Sequence, residues 1–288
     1  MDEVREASRA TRVLFVAAAA VMWGAIVLGS VVCATDSSAA CPNWPGCYVG
    51  QITPKAELNP ILEWVHRLVA ISCAPLLLAA GVVGWRSKDP LVKWLPWVSL
   101  CGAFIAGVLG MLTVKVGISK GLAAFDLGAS LVGLIAITIA TVCVLRAPRR
   151  VHRGVEQTAG WAAVVALFVF HVSSIIVAGP GSLTRCVSWP VWRTLDVDGA
   201  VGAQWLRLVL GAVAVLAVAA TVVLAVRDRG TRLPAVVVGV LALVELVMGP
   251  TVIAAGAAMT VKAWYAAIAG TILTGTVWIA SLATFHKG

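Results

Sequence analysis

Apolar and polar positions along this chain separate into long blocks instead of alternating. Runs rich in Val, Ala, Leu and Ile fall near 13 to 34, 61 to 84, 94 to 114, 122 to 145, 161 to 179, 204 to 226, 234 to 255 and 264 to 285. Each approaches or exceeds the roughly 18 residues that mark a membrane-crossing helix. Backbone in hydrocarbon satisfies its own polar groups as a helix, so the pattern predicts an all-α polytopic membrane protein with eight transmembrane helices. The first run has no small-residue cleavage site behind it and reads as a retained span, not a removable leader.

Composition supports this division: 60% of residues are hydrophobic and only 12% charged. The net charge of +9 does not point to nucleic acid, because Lys and Arg gather in the short segments between spans, where they report topology. With the N-terminus cytoplasmic, the inner segments hold fourteen basic residues, among them Arg86, Arg146, Arg150 and Arg229. The outer loops hold six, Lys55, Lys115, Lys120, Arg185, Arg193 and Lys262. Both termini are therefore expected inside, in a multi-pass protein of the cell membrane whose 41 to 47 loop lies outside.

The two halves of the chain resemble one another. SVVCATDSSAACPNWPGC from Ser30 aligns with SIIVAGPGSLTRCVSWPVW from Ser174, given one gap. Cys41 then faces Cys186, Trp44-Pro45 faces Trp189-Pro190, and Cys47 faces Trp192. Further on, HRLV at 66 to 69 faces LRLV at 206 to 209. Four spans per copy give both copies the same orientation, so the repeat predicts two four-helix bundles related by a pseudo-twofold axis along the membrane normal. The basic linker APRRVHRG divides residues 1–147 from 148–288, within one compact eight-helix body.

Of seven cysteines, Cys33, Cys73, Cys101 and Cys143 lie in or at the ends of spans and read as small buried apolar residues. Cys41 and Cys47 share an outer loop, where an oxidising compartment favours a disulfide. A zinc site, the alternative, needs four ligands and finds no second outer pair.

Ionisable residues inside spans are costly and are the first candidates for function. In ILEWVHRLVA, Glu63 and His66 share a helix face, and Arg67 lies one turn from Glu63 and can pair with it. Glu-x-x-His is also half of a di-iron bundle motif, but that site needs a second copy and more glutamates than Glu245 provides. Asp126, in FDLGAS of the fourth span, is placed to pair with Arg67 or His66. His171 has no charged neighbour at helical spacing and reads as packed or hydrogen-bonded, while His152 and His286 read as solvated at the cytoplasmic edge.

TDSSAACPNWPGCYVGQ followed by LEWVHRLVA, on an eight-span chain with repeated halves, resembles the heme A synthase family. The resemblance implies a membrane oxidoreductase of heme A biosynthesis that oxidises a methyl group of heme O to a formyl group, by successive hydroxylation and loss of water. It implies two histidines per half, from its second and fourth spans, with substrate heme in one half and a heme b cofactor in the other. Glu63 takes the catalytic carboxylate position, His66 the first heme-iron ligand, Cys41 and Cys47 the paired cysteines, and Arg67 a supporting place. The other three histidine positions fall on Asp126, Leu206 and Tyr265. A tyrosinate can ligate heme iron but a leucine has no donor, so at most one heme per chain is expected, on His66 with Asp126 opposite and Tyr265 a weak second candidate.

Two functions remain open on these residues. One is an enzyme acting on heme O or a related lipophilic substrate. The other is a non-catalytic heme-binding or oxidase-assembly protein of the same fold, partnered by a complete homologue, a heme O synthase or a terminal oxidase. A transporter, suggested by the repeat alone, finds few polar residues for a substrate path.

Overall fold

The computed structural model describes residues 7–177, 186, 201–254 and 258–287. Its elements are α1 (Arg9–Ala34), α2 (Leu58–Gly84), α3 (Pro90–Val116), α4 (Lys120–Leu145), β1 (Arg149–Val151), α5 (Val155–Val177), α6 (Val201–Ala225), α7 (Arg232–Ala254), α8 (Met259–Thr284) and β2 (Phe285–Lys287). All eight helices are long and apolar enough to cross a membrane, each matching one run of the sequence. Several starts are fixed by polar caps. Ser8, Asp89 and Ser119 accept hydrogen bonds from the backbone N–H groups of Thr11, Leu91 and Leu122, satisfying donors that the first turn leaves open.

Helices α1 to α4 pack in a ring, with α1 against α2 and α4, and α3 against α2 and α4. Helices α5 to α8 make the corresponding contacts, α5 against α6 and α8, and α7 against α6 and α8. The two rings meet through α1 on α8, α4 on α5 and α4 on α8. The central helices α4 and α8 accordingly carry the most buried stretches, Leu131 to Val144 and Ala269 to Ala283.

Between helices in lipid, close backbone approach replaces the hydrophobic drive that folds soluble bundles. At Gly102 of α3 a Cβ would stand 2.5 Å from the Ala129 carbonyl oxygen of α4, so any larger residue would push these two helices apart. Hydroxyls add specific ties. Thr141 Oγ1 of α4 donates to the Phe15 carbonyl of α1 at 3.0 Å, and Trp161 Nε1 of α5 donates to Thr284 Oγ1 of α8 at 3.0 Å.

The sequence pattern contains no sign of β1 and β2. Each has three residues; they pair antiparallel with Arg150 opposite His286, fastening the linker after α4 to the end of α8. His152 is exposed, as expected, and His286 is part-buried; their rings lie 5.0 Å apart.

Candidate functional site

The loop after α1 folds back over the first turns of α2 as a compact cap. Cys41 and Cys47 are joined by a disulfide and both are fully buried. Inside the cap, Asn43 N–H donates to the Cys47 carbonyl at 3.2 Å and Cys47 N–H to the Ile52 carbonyl at 3.2 Å. Tyr48 and Gln51 exchange two backbone hydrogen bonds of 3.1 Å around Gly50, whose φ of 75° suits a residue without a side chain. The Trp44–Pro45 peptide is cis.

Two charged side chains of α2, four residues apart, fasten this cap. Glu63 is 3% exposed; one carboxylate oxygen accepts the Cys41 N–H at 2.7 Å and the other meets Arg67 at 2.5 Å. The Arg67 guanidinium also donates to the carbonyls of Asn43 at 2.6 Å, Gly46 at 3.0 Å and Cys41 at 2.8 Å. A buried carboxylate is tolerated only when paired and hydrogen-bonded, and Glu63 is both. Arginine suits this place because its planar fork serves several acceptors at once. The pairing expected from helical spacing is thus present, and Arg67 does more than neutralise Glu63: it ties the cysteine loop to the helix.

His66 lies one turn from Glu63, half-buried. Its Nδ1 is buried and has no hydrogen-bond partner among the described residues. The ring rests against α1 at Gly29, where a Cβ would come within 3.0 Å of His66 Cε1. Gly29 therefore shapes the histidine's place, and it was missed by sequence reasoning because one glycine in an Ala and Val run carries no signal of what crosses it.

Asp126 sits half-buried in the second turn of α4. The expected pairing with Arg67 or His66 is not formed: among the described residues no hydrogen bond or ion pair links Asp126 to either. Arg67 already spends its donors on Glu63 and three cap carbonyls.

Cys33 corrects a second expectation. It is not an isolated apolar residue at the end of a span but forms a disulfide with Cys186, 153 residues later, with Cα atoms 5.6 Å apart. Cys186 is buried against Ala34 of α1 and Ala266 of α8. Its counterpart Cys41 pairs within its own loop, whereas Cys186 reaches across to the first half. Cys73, Cys101 and Cys143 form no disulfide, and Cys101 is exposed where a buried residue was expected. The positions aligned with the rest of the cap, Trp189, Pro190 and Trp192, lie outside the described residues.

In the second half, Leu206 is 56% exposed and turned outward, while Arg207 beside it is 1% exposed. Tyr265 is buried in α8 with its hydroxyl beside α7, where a Cβ on Gly249 would lie 3.6 Å from it. His171 is fully buried, its ring 5.3 Å from that of Phe170, and neither ring nitrogen has a hydrogen-bond partner among the described residues. Core packing, one of its two expected roles, is the one seen.

No protein-family model matches the chain. Individual curated proteins do. The chain is 28% identical over 225 residues to the heme A synthase of Bacillus pumilus, covering 72% of this chain and 71% of that one. It is 26% identical over 243 residues to the heme A synthase of Geobacillus kaustophilus, covering 77% and 74%. Against that of Halalkalibacterium halodurans it is 19% identical over 278 residues, covering 91% and 93%. Together with eight membrane-length helices, these similarities support a divergent member of the heme A synthase family.

Proposed function

We propose that this chain is a membrane oxidoreductase of heme A biosynthesis whose chemistry lies in the first half, beneath the Cys41–Cys47 cap. The observation that carries this reading is the buried Glu63 carboxylate, held by the Cys41 N–H and by Arg67 at the outer end of α2. So firmly placed an acid, one turn from a histidine, suits a task in which charge or a proton must appear at a fixed point.

The substrate is heme O or a closely related lipophilic heme. His66 fits the part of iron ligand: it is an imidazole half-buried among apolar helices, with a buried ring nitrogen that has no protein partner among the described residues. Asp126, on the helix diagonal to α2 in the same ring, offers a carboxylate and no imidazole, so a heme here would be held by His66 and would supply the oxidative chemistry. Glu63 fixes the negative charge on the side of the cap, and Arg67 keeps it in register with the loop. The disulfide holds the cap closed over both. At most one heme per chain would be held, on His66; Tyr265, the weaker candidate, lies in the other half and is no part of this site.

The helix neighbours support the reading of two related bundles, residues 1–147 and 148–288, since exchanging each helix with the one four places on reproduces the ring contacts of each half, α6 on α8 being the exception. Both termini then lie in the cytoplasm and the cap on the outer side of the cell membrane, where its cysteines stay oxidised. A heme O synthase, a terminal oxidase or a complete homologue is the expected neighbour in the membrane.

A second reading, a non-catalytic heme-binding or oxidase-assembly protein, is favoured by one observation: Leu206 and Tyr265 stand where the family's second-half histidines are expected. Expression in a host lacking its own heme A synthase, followed by pigment extraction, separates the two. Heme A or its alcohol intermediate is expected. If neither is found while the purified protein still carries a heme that His66→Ala removes, the second reading stands.

A further inference from the structure

Helix α6 shows which of its faces is turned to the bundle. Trp205, Leu206, Val209, Val213 and Leu216 are all exposed, whereas Arg207, Ala214, Val218, Thr221 and Ala225 are buried. Each set repeats at helical spacing, so the two mark opposite faces of one helix. Leu206, at the position where a heme-ligating histidine is expected, belongs to the exposed face. A side chain there points away from the bundle centre whatever its chemistry.

The inward place next to it is filled by a cation. Arg207 Nε donates to Ser174 Oγ of α5 at 2.9 Å, and its guanidinium lies 5.3 Å from the centre of the Phe170 ring. Arg207 also interacts electrostatically with His171 of α5 and Tyr265 of α8. Tyr265 interacts in turn with Glu245 of α7, which is fully buried one turn before Gly249. All four helices of the second half thus bury a polar side chain: Ser174 and His171 on α5, Arg207 on α6, Glu245 on α7 and Tyr265 on α8. A guanidinium is kept in such surroundings only where polar and aromatic groups receive it, and Ser174 and the Phe170 face do so here.

These residues do not fit a heme, and no step of the chemistry is routed through the second half. We infer that this half is a closed, polar-cored bundle organised around Arg207, not a heme pocket that has merely lost its ligands. The distinction matters because a ligand-depleted pocket is restored by returning its histidines, and a repacked bundle is not. Histidine at 206 faces outward, and histidine at 265 stands in a buried place beside Gly249 of α7.

The test is the double variant Leu206→His, Tyr265→His, purified beside the parent chain, with heme per chain measured by pyridine hemochrome and ligation by electron paramagnetic resonance. The expected result is the same heme content as the parent and no new bis-histidine signal. A gain of one low-spin heme per chain would overturn the inference. The parent's own heme content tests the first-half reading, and the difference between variant and parent tests this one, so the two fail separately. Should the double variant not fold, a nitroxide on Leu206→Cys decides, in a background with Cys73, Cys101 and Cys143 replaced by Ser. A mobile, oxygen-accessible label is expected there, and an immobilised label shielded from oxygen would overturn the inference.

Discussion

Replacing Arg67 by Leu removes one of the two side chains that join α2 to the cap. It takes away three hydrogen bonds to the carbonyls of Cys41, Asn43 and Gly46 and leaves the Glu63 carboxylate buried without its cation. Removing one partner of a buried ion pair costs about 3–5 kcal/mol, mainly because the other charge is stranded. The lower end, about 3 kcal/mol, is equivalent to a fall in melting temperature on the order of 10 °C. Arg67→Lys keeps the charge but cannot reach four acceptors and should fall between. Glu63→Gln should cost less, on the order of 1–2 kcal/mol, because an amide oxygen still accepts the Cys41 N–H. The assay is thermal unfolding of detergent-purified protein, with the rate at which a thiol reductant opens Cys41–Cys47 measured by alkylation and mass. Opening should quicken at least tenfold in Arg67→Leu. A variant that melts with the parent and shields its disulfide equally would refute the idea that Arg67 fastens the cap.

Three further outcomes are expected. Gly29→Ala puts a methyl group 3.0 Å from His66 Cε1 and must move the ring, so bound heme should fall or its Soret band shift while the fold persists; an unchanged spectrum would detach Gly29 from the site. A protease site placed in the 147–154 linker should give two fragments that stay joined on a non-reducing gel and part with reductant or in Cys186→Ser; parting without reductant would deny the Cys33–Cys186 bond. Asp126→Asn should leave heme content unchanged but lower product at least tenfold if its charge serves the reaction, and full activity would dismiss it.

The eight helices were legible because membrane length and apolarity are properties of one segment read alone, and each run recurs within a few residues of its helix. Glu63 with Arg67 was legible for the same reason, since four residues on one helix fix their separation. What escaped is what depends on neighbours far along the chain. Cys33 looked like an apolar filler because its partner stands 153 residues away. Asp126 looked like a match for Arg67 by charge, but the cap carbonyls, which no pattern reveals, had already taken the guanidinium. Leu206 was seen to lack a donor atom, yet only the packing of α6 shows that it faces outward.

The bond between Cys33 and Cys186 also has a meaning for the order in which the chain is made. Cys33 emerges with the first helix, whereas its partner follows only after four more have been inserted. For that interval a waiting thiol stands eight residues from Cys41, with two candidates for a wrong union close by. Closing Cys41 onto Cys47, six residues apart, removes both rivals and leaves Cys33 for the late arrival. The small cap is then a chaperone for the long-range bond, and a chain lacking Cys47 would be expected to couple Cys33 to Cys41 before its second half exists.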